Sequence, residues 1–259
     1  MTDPEKKEAR SQTLSLVKVL TRDQILLLKE STEKNGIGLL FLTALCTGLR
    51  QGELLSLRWQ DLDMENRVLS IQRTVSLFPK SDFLEREIQP PQQRSIKLPA
   101  VLVQQLQQHH QAQHEERQRA GKKWAEKHLI FPNERGNYLS PFRLRRQFSK
   151  ALKDANLPSI PFHAVRHTTI SLLLMLGVET RVVQAMLGVK WLDTVTVAFT
   201  SITEKRQGSP ASLERGGIAA SRAVVAISII AMKRTTIAHR DSFYAPTCGS
   251  QIKRSRCSC

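Results

Sequence analysis

Two short words carry the residues best able to do chemistry. The first is P-F-H-A-V-R-H, residues 161–167, with His163 and Arg166 three apart at the mouth of an apolar run that stops at Gly177. On a helix an i,i+3 pair shares a face, so an imidazole and a guanidinium leave the same turn side by side. His167 follows directly and can support them. The second word lies far upstream. Arg50 comes just after a glycine-ended apolar run, and Glu53 follows three residues later, near enough to hold the guanidinium. Each word alone also has an ordinary explanation. The first fits a capped core helix with two polar residues in its opening turn, and the second fits a cation complementing a helix C-terminus.

The composition indicates what such cations would meet. The formal net charge is +16 over 259 residues, with Lys and Arg spread along the chain. A folded chain this basic points to a polyanion, nucleic acid first, against the alternative of a merely basic soluble protein. Other classes fall away. Cys46 stands alone in an apolar run, and Cys248, Cys257 and Cys259 crowd the end, which is neither a disulfide framework nor a paired zinc motif. A reducing cytoplasm is the expected setting. The first residues are polar and carry no signal-peptide core. The apolar run 218–232 is broken by Arg222 and too short to cross a bilayer, so no membrane partner is expected. His109, His110 and His114 cluster without cysteine or carboxylate partners, and no metal is expected there.

The elements that must position the two words follow in order. Residues 1–17 read as a charged, disordered leader. Thr21 to Gln24 fits a capping box, with Ile25, Leu26 and Leu28 on the apolar side of the helix it opens. Residues 37–48 are apolar on nearly every side and read as a buried helix ended at Gly48. Residues 67–75 alternate and read as a strand, with shorter strands at 86–89 and 94–98. Pro99 opens a long polar helix to about residue 114. Residues 133–136 are a turn. Ser140-Pro141 opens another helix to about residue 156, carrying Arg143, Arg145, Arg146 and Lys150. Such a stripe is either a solvated face or a set of phosphate contacts.

Together the words T-G-L-R-Q-G-E-L-L-S-L-R-W-Q-D-L-D, residues 47–63, and H-A-V-R-H, residues 163–167, are specific. The chain resembles the tyrosine recombinases, the phage-integrase family, from about Val19 to Gly217. The resemblance implies an α+β, mainly helical catalytic domain with a small three-stranded antiparallel sheet. It implies double-stranded DNA as substrate, other recombinase protomers as partners and no cofactor. In the family a tyrosine attacks a DNA phosphodiester, leaving a 3′-phosphotyrosyl link that a second DNA end reverses. Two arginines grip the scissile phosphate, as a planar, permanently charged fork can, and Arg50 and Arg166 match them. His163 matches the histidine that assists proton transfer. A lysine in the turn between the second and third strands helps protonate the leaving oxygen, and a histidine in an L-G-H word donates to the phosphate.

The chain departs from that pattern at the chemistry. Gln92 falls where the lysine belongs, in a turn shorter than usual, with Lys97 further along the strand. The L-G-H word reads Leu187-Gly188-Val189, and Trp191 is two positions off. Counting about ten on from Val189 arrives at Phe199, where the family has its tyrosine. The chain has two tyrosines, Tyr138 and Tyr244, and neither has the family's spacing. The expectation is a DNA-binding relative, nucleoid-associated, with an intact phosphate grip and lost covalent chemistry. A recombinase using Tyr244 or a partner's tyrosine, and an inert pseudogene product, are the alternatives. Residues 18–217 would form the catalytic domain, leaving no room before it for the family's separate helical domain. Residues 218–259 would be an unrelated or disordered basic tail.

Overall fold

The computed structural model describes residues 19–77, 83–90 and 92–188. Val189, Trp191, Phe199 and Tyr244 lie outside them, as do the leader and the tail. Helix α1, Arg22–Lys34, begins with both halves of the expected box: Thr21 N–H donates to Gln24 Oε1 at 2.9 Å, and Gln24 N–H to Thr21 Oγ1 at 3.3 Å. Ile25 and Leu28 are fully buried. Helix α2, Gly38–Thr47, is buried along most of its length and ends at Gly48 in the left-handed region, φ 62°. A Cβ at Gly48 would also sit 2.5 Å from Leu187 Cδ2, so backbone and packing both require glycine there.

Helix α3, Gln51–Leu55, follows at once, with Arg50 extended at its N-cap. Strand β1, Leu62–Asp63, pairs antiparallel with β2, Val68–Ile71, and β2 pairs with β5, Arg94–Lys97. These three make the small sheet. Strands β3, Arg73–Leu77, and β4, Phe83–Glu87, form a separate two-stranded ladder. The expected single strand over 67–75 is therefore two, broken at Gln72, whose carbonyl accepts from Ile88 N–H at 2.8 Å. The strand expected at 86–89 begins earlier, at Phe83. The connection carrying Gln92 joins two ladders and does not close a hairpin. The pattern shows side chains and not partners, so alternation across 67–75 conceals the break.

Helix α4, Ala100–Ala120, runs six residues past the expected end and buries Leu102, Val103 and Leu106. Its polar face is not wholly solvated. Gln113 is buried, accepting from Trp59 Nε1 at 2.6 Å, and His109 Nε2 meets Ile130 O at 2.7 Å. Helix α5, Pro141–Asp154, packs on α1, where Ser31 Oγ donates to Ala151 O at 2.8 Å. Helix α6, Ala164–Met175, starts from His163 as N-cap and lies against α2, with Thr169 Oγ1 donating to Leu45 O at 2.8 Å. Helix α7, Thr180–Leu187, buries Val183 and Leu187, ends at left-handed Gly188 and packs on β5. The fold is mainly helical with a small antiparallel sheet, and Phe41, Phe148 and Phe162 lie in its core. No helix among the described residues is long and apolar enough to cross a membrane.

Candidate functional site

The two words come together at the C-terminal end of α7. Arg50 leaves the N-cap of α3, and Arg166 leaves the first turn of α6, a helix fixed to α2 by Thr169. Arg166 Nη1 donates to Gly48 O at 2.6 Å, 118 residues away in sequence, and its Nη2 to Leu187 O at 2.9 Å. Arg50 Nη2 reaches Gly188 O at 3.5 Å. A third guanidinium completes the group: Arg94 Nε donates to Met186 O at 2.8 Å. Three successive carbonyls at a helix C-terminus thus each face one arginine, where the helix dipole is negative and the carbonyls lack helical partners.

Glu53 sits among these cations, 3% exposed. It accepts from Arg94 Nη2 at 2.7 Å and Nη1 at 3.3 Å, from Arg50 Nη1 at 2.9 Å and from Arg50 N–H at 3.0 Å. Burial is the largest single influence on its acidity and pushes the pKa up. The Arg94 hydrogen bond and charge, then the Arg50 N–H and guanidinium, together outweigh burial and hold the carboxyl below its ordinary value. Arg166 is pushed down to about 10, first by burial and then by the charge of Arg50, with Glu53 opposing and Arg94 adding. At neutral pH it remains a cation. The group therefore holds three positive charges against one negative, in a partly desolvated place.

His163 is exposed at the head of α6, and its ring meets His167 edge to face at 5.7 Å between centroids. Burial, then the charges of His163 and Arg166, lower the His167 pKa, and its Nδ1 is buried without a hydrogen-bond partner among the described residues. Gln92 is exposed in its turn, and its carbonyl lies 3.5 Å from Arg94 Nη1. Lys97 is three residues from Arg94 along β5, which strand alternation places on the opposite face. Tyr138 is buried, with its hydroxyl donating to Glu85, in a cluster with Arg58, Arg73 and Asp61.

The α5 stripe divides. Arg145, Arg146 and Lys150 are exposed, while Arg143 is held by Glu134 at 2.5 Å. Gln51 Nε2 donates to Pro141 O at 3.2 Å, so the head of this helix adjoins the start of α3, beside Arg50. Arg94 carries no signal of its own in the sequence. Its strand is legible, but its partner Glu53 is 41 residues away, and periodicity registers no such pairing.

The phage integrase family model matches residues 18–206. A XerC-like tyrosine recombinase of Caldanaerobacter subterraneus subsp. tengcongensis is 32% identical over 218 residues, 80% of this chain and 54% of that protein. An integrase of Streptomyces ambofaciens is 30% identical over 183 residues, 66% of this chain and 46% of that protein. The chain spans about half the length of the curated relatives it matches. Among solved structures, the Tn1549 transposon integrase in complex with a circular intermediate DNA superposes with a TM-score of 0.59 at 19% identity, over 73% of this chain and 66% of that one. The XerH site-specific recombinase bound to its difH substrate gives 0.53 at 21% identity, over 72% and 51%. The fold, the paired arginine words and these matches agree, and the chain belongs to the phage integrase family of tyrosine recombinases.

Proposed function

We propose that this chain grips a phosphate of duplex DNA with Arg50 and Arg166, with His163 beside them, and that it does not cleave the strand. The observation that carries the reading is the excess of cation: Arg50 and Arg94 bond one buried carboxylate, Glu53, and Arg166 stands near enough to feel the charges of all three. The donors of Arg166 rest on neutral carbonyls, and a phosphate oxygen is the stronger, charged acceptor. Arg145, Arg146 and Lys150, with Arg143 when Glu134 releases it, would follow the flanking backbone from the adjoining helix. His167 would steady His163. The XerH and Tn1549 relatives were solved with DNA, and we carry that partner over to residues 18–217 of this chain.

The loss of cleavage is read from the sequence alone. Phe199 has a ring but no hydroxyl to attack phosphorus, Val189 cannot donate a hydrogen bond, and Gln92 cannot serve as a general acid. Tyr138 gives no substitute nucleophile, because it is buried against Glu85.

Two measurements test the reading. Affinity for a duplex should fall steeply with salt, by a slope of about 0.9 per phosphate neutralised, and Arg166→Ala should flatten it. A flat response in the parent chain would refute the phosphate grip. Covalent trapping on nicked duplex should give an adduct with a Val189→His, Phe199→Tyr variant and none with the parent. An adduct with the parent would place the nucleophile at Tyr244 or on a partner chain.

A further inference from the structure

Glu53 is shared by Arg50 and Arg94, and the two hold it differently. The Arg94 side chain is 7% exposed and bonds both carboxylate oxygens of Glu53 and, through Nε, Met186 O, with a longer 3.5 Å contact from Nη1 to Gln92 O. A Cβ at Gly188 would come within 3.1 Å of Arg94 Nη1, so the end of α7 closes over this guanidinium. Arg50 is 50% exposed. Its side chain gives Glu53 one bond of 2.9 Å and, among the described residues, has besides it the 3.5 Å contact to Gly188 O. The Arg50 main-chain N–H separately holds Oε2 at 3.0 Å, so that bond survives when the side chain swings away.

A carboxylate this buried cannot be left without a cation, because an unpaired interior charge is far costlier than a pair. We propose that Arg94 is the positioning residue that frees Arg50. As the permanent partner of Glu53, it lets the Arg50 guanidinium turn to an incoming phosphate without stranding a buried charge. Arg94 does not itself turn, since strand β5, helix α3 and the end of α7 hold it from three sides. The proposal deepens the reading of Arg50 as a phosphate ligand and rests on it. Without Arg94 the whole charge of Glu53 falls to Arg50 and pulls it off the phosphate.

The test uses the full chain in four forms: parent, Arg94→Met, Arg94→Lys and Glu53→Gln with Arg94→Met. Two readouts are taken on each, the rate at which phenylglyoxal modifies Arg50, read by peptide mass mapping, and the affinity for a random-sequence DNA duplex at low salt. Arg94→Met should slow modification of Arg50 and weaken duplex binding, each by about tenfold. Arg94→Lys keeps the charge but loses the fork, and should fall between it and the parent. The double variant removes the carboxylate charge as well and should bring both readouts back toward the parent. Should Arg94→Met fail to fold, Arg94→Lys and the double variant decide on the same terms. An unchanged Arg50 rate in the folded single variants overturns the proposal, whatever happens to their melting temperatures. So does a double variant that recovers nothing, which is the mark of a purely structural role. A parent chain that binds no duplex refutes the DNA reading separately, and the Arg50 rates still judge this one.

Discussion

Two arginine–carboxylate clusters flank the same short helix, and they are built to different charge ratios. At the start of α3, Arg50 and Arg94 bond Glu53, and Arg166 adds its charge from the adjoining carbonyls of Gly48 and Leu187. Just past its end, Arg58 and Arg73 meet Asp61 and Glu85. Arg58 grips both Glu85 oxygens at 2.9 Å, Arg73 bonds Asp61, and Tyr138 adds its hydroxyl. The second cluster balances two cations with two anions, and it ties the loop after α3 to the β3–β4 ladder. The first is left with a positive excess resting on backbone carbonyls. The second cluster is balanced in charge, though Arg58 Nε and Arg73 Nε are buried without a hydrogen-bond partner among the described residues. The first keeps the uncompensated positive charge on which the proposed phosphate grip rests.

The largest difference between the clusters is expected from making one substitution in both places. Arg73→Met should destabilise the fold by about 3 kcal/mol, since Asp61, 6% exposed, loses its guanidinium. Arg166→Met should move stability by less than about 1 kcal/mol, because it removes a desolvated charge from an over-positive group. Urea unfolding midpoints of the two variants measure the difference. Equal losses would mean that the first cluster is structural too.

Much of this architecture could be read from the residues, and the limits are physical. The Thr21 box, the end of α2 at Gly48 and the start of α6 at His163 are local signals, set by neighbours a few positions apart. So is the hold of Glu53 on Arg50, a three-residue relation. Arg94 is another matter. Its importance comes from meeting Glu53 and the end of α7, which are distant in sequence, and a short polar–apolar strand looks the same with or without that meeting. The break at Gln72 was hidden for a related reason: alternation persists across 67–75 while the pairing partner changes from β5 to β4.

An anion should discriminate the clusters next. If the first has room for phosphate, inorganic phosphate will stabilise the folded chain by about 1.4 kcal/mol at ten times its Kd. Arg166→Met should abolish most of that gain, and Tyr138→Phe should leave it intact. Tyr138→Phe has its own smaller cost, about 1 kcal/mol, for the hydroxyl that Glu85 loses. Melting curves with phosphate at constant ionic strength, using chloride as the control, check both. A gain equal in all three chains would be a general salt effect and would remove the distinction.

The smallest effect is one of pH, and its sign follows from the charge surrounding His167. Burial first, then His163 and Arg166, hold its pKa below the ordinary 6.5. Between that lowered value and 6.5 the unfolded chain binds more protons than the folded one, so stability rises with pH across the window and levels off above it. His109 acts in the same direction, since burial lowers its pKa as well, against the pull of Ile130 O and Glu116. Glu53 acts lower. Its stabilising share is present above its ordinary 4.5 and is lost as pH falls through the depressed folded value. Replacing His167 with Gln should therefore flatten the stability profile below pH 6.5 by under about 1 kcal/mol and leave the steeper carboxylate limb in place. His167 belongs to the cationic cluster by its neighbours, so bound phosphate should raise its pKa and shift that window upward. The balanced cluster, which holds no histidine, supplies no such shift, and histidine NMR titrations with and without phosphate would show whether the two regions differ in this way.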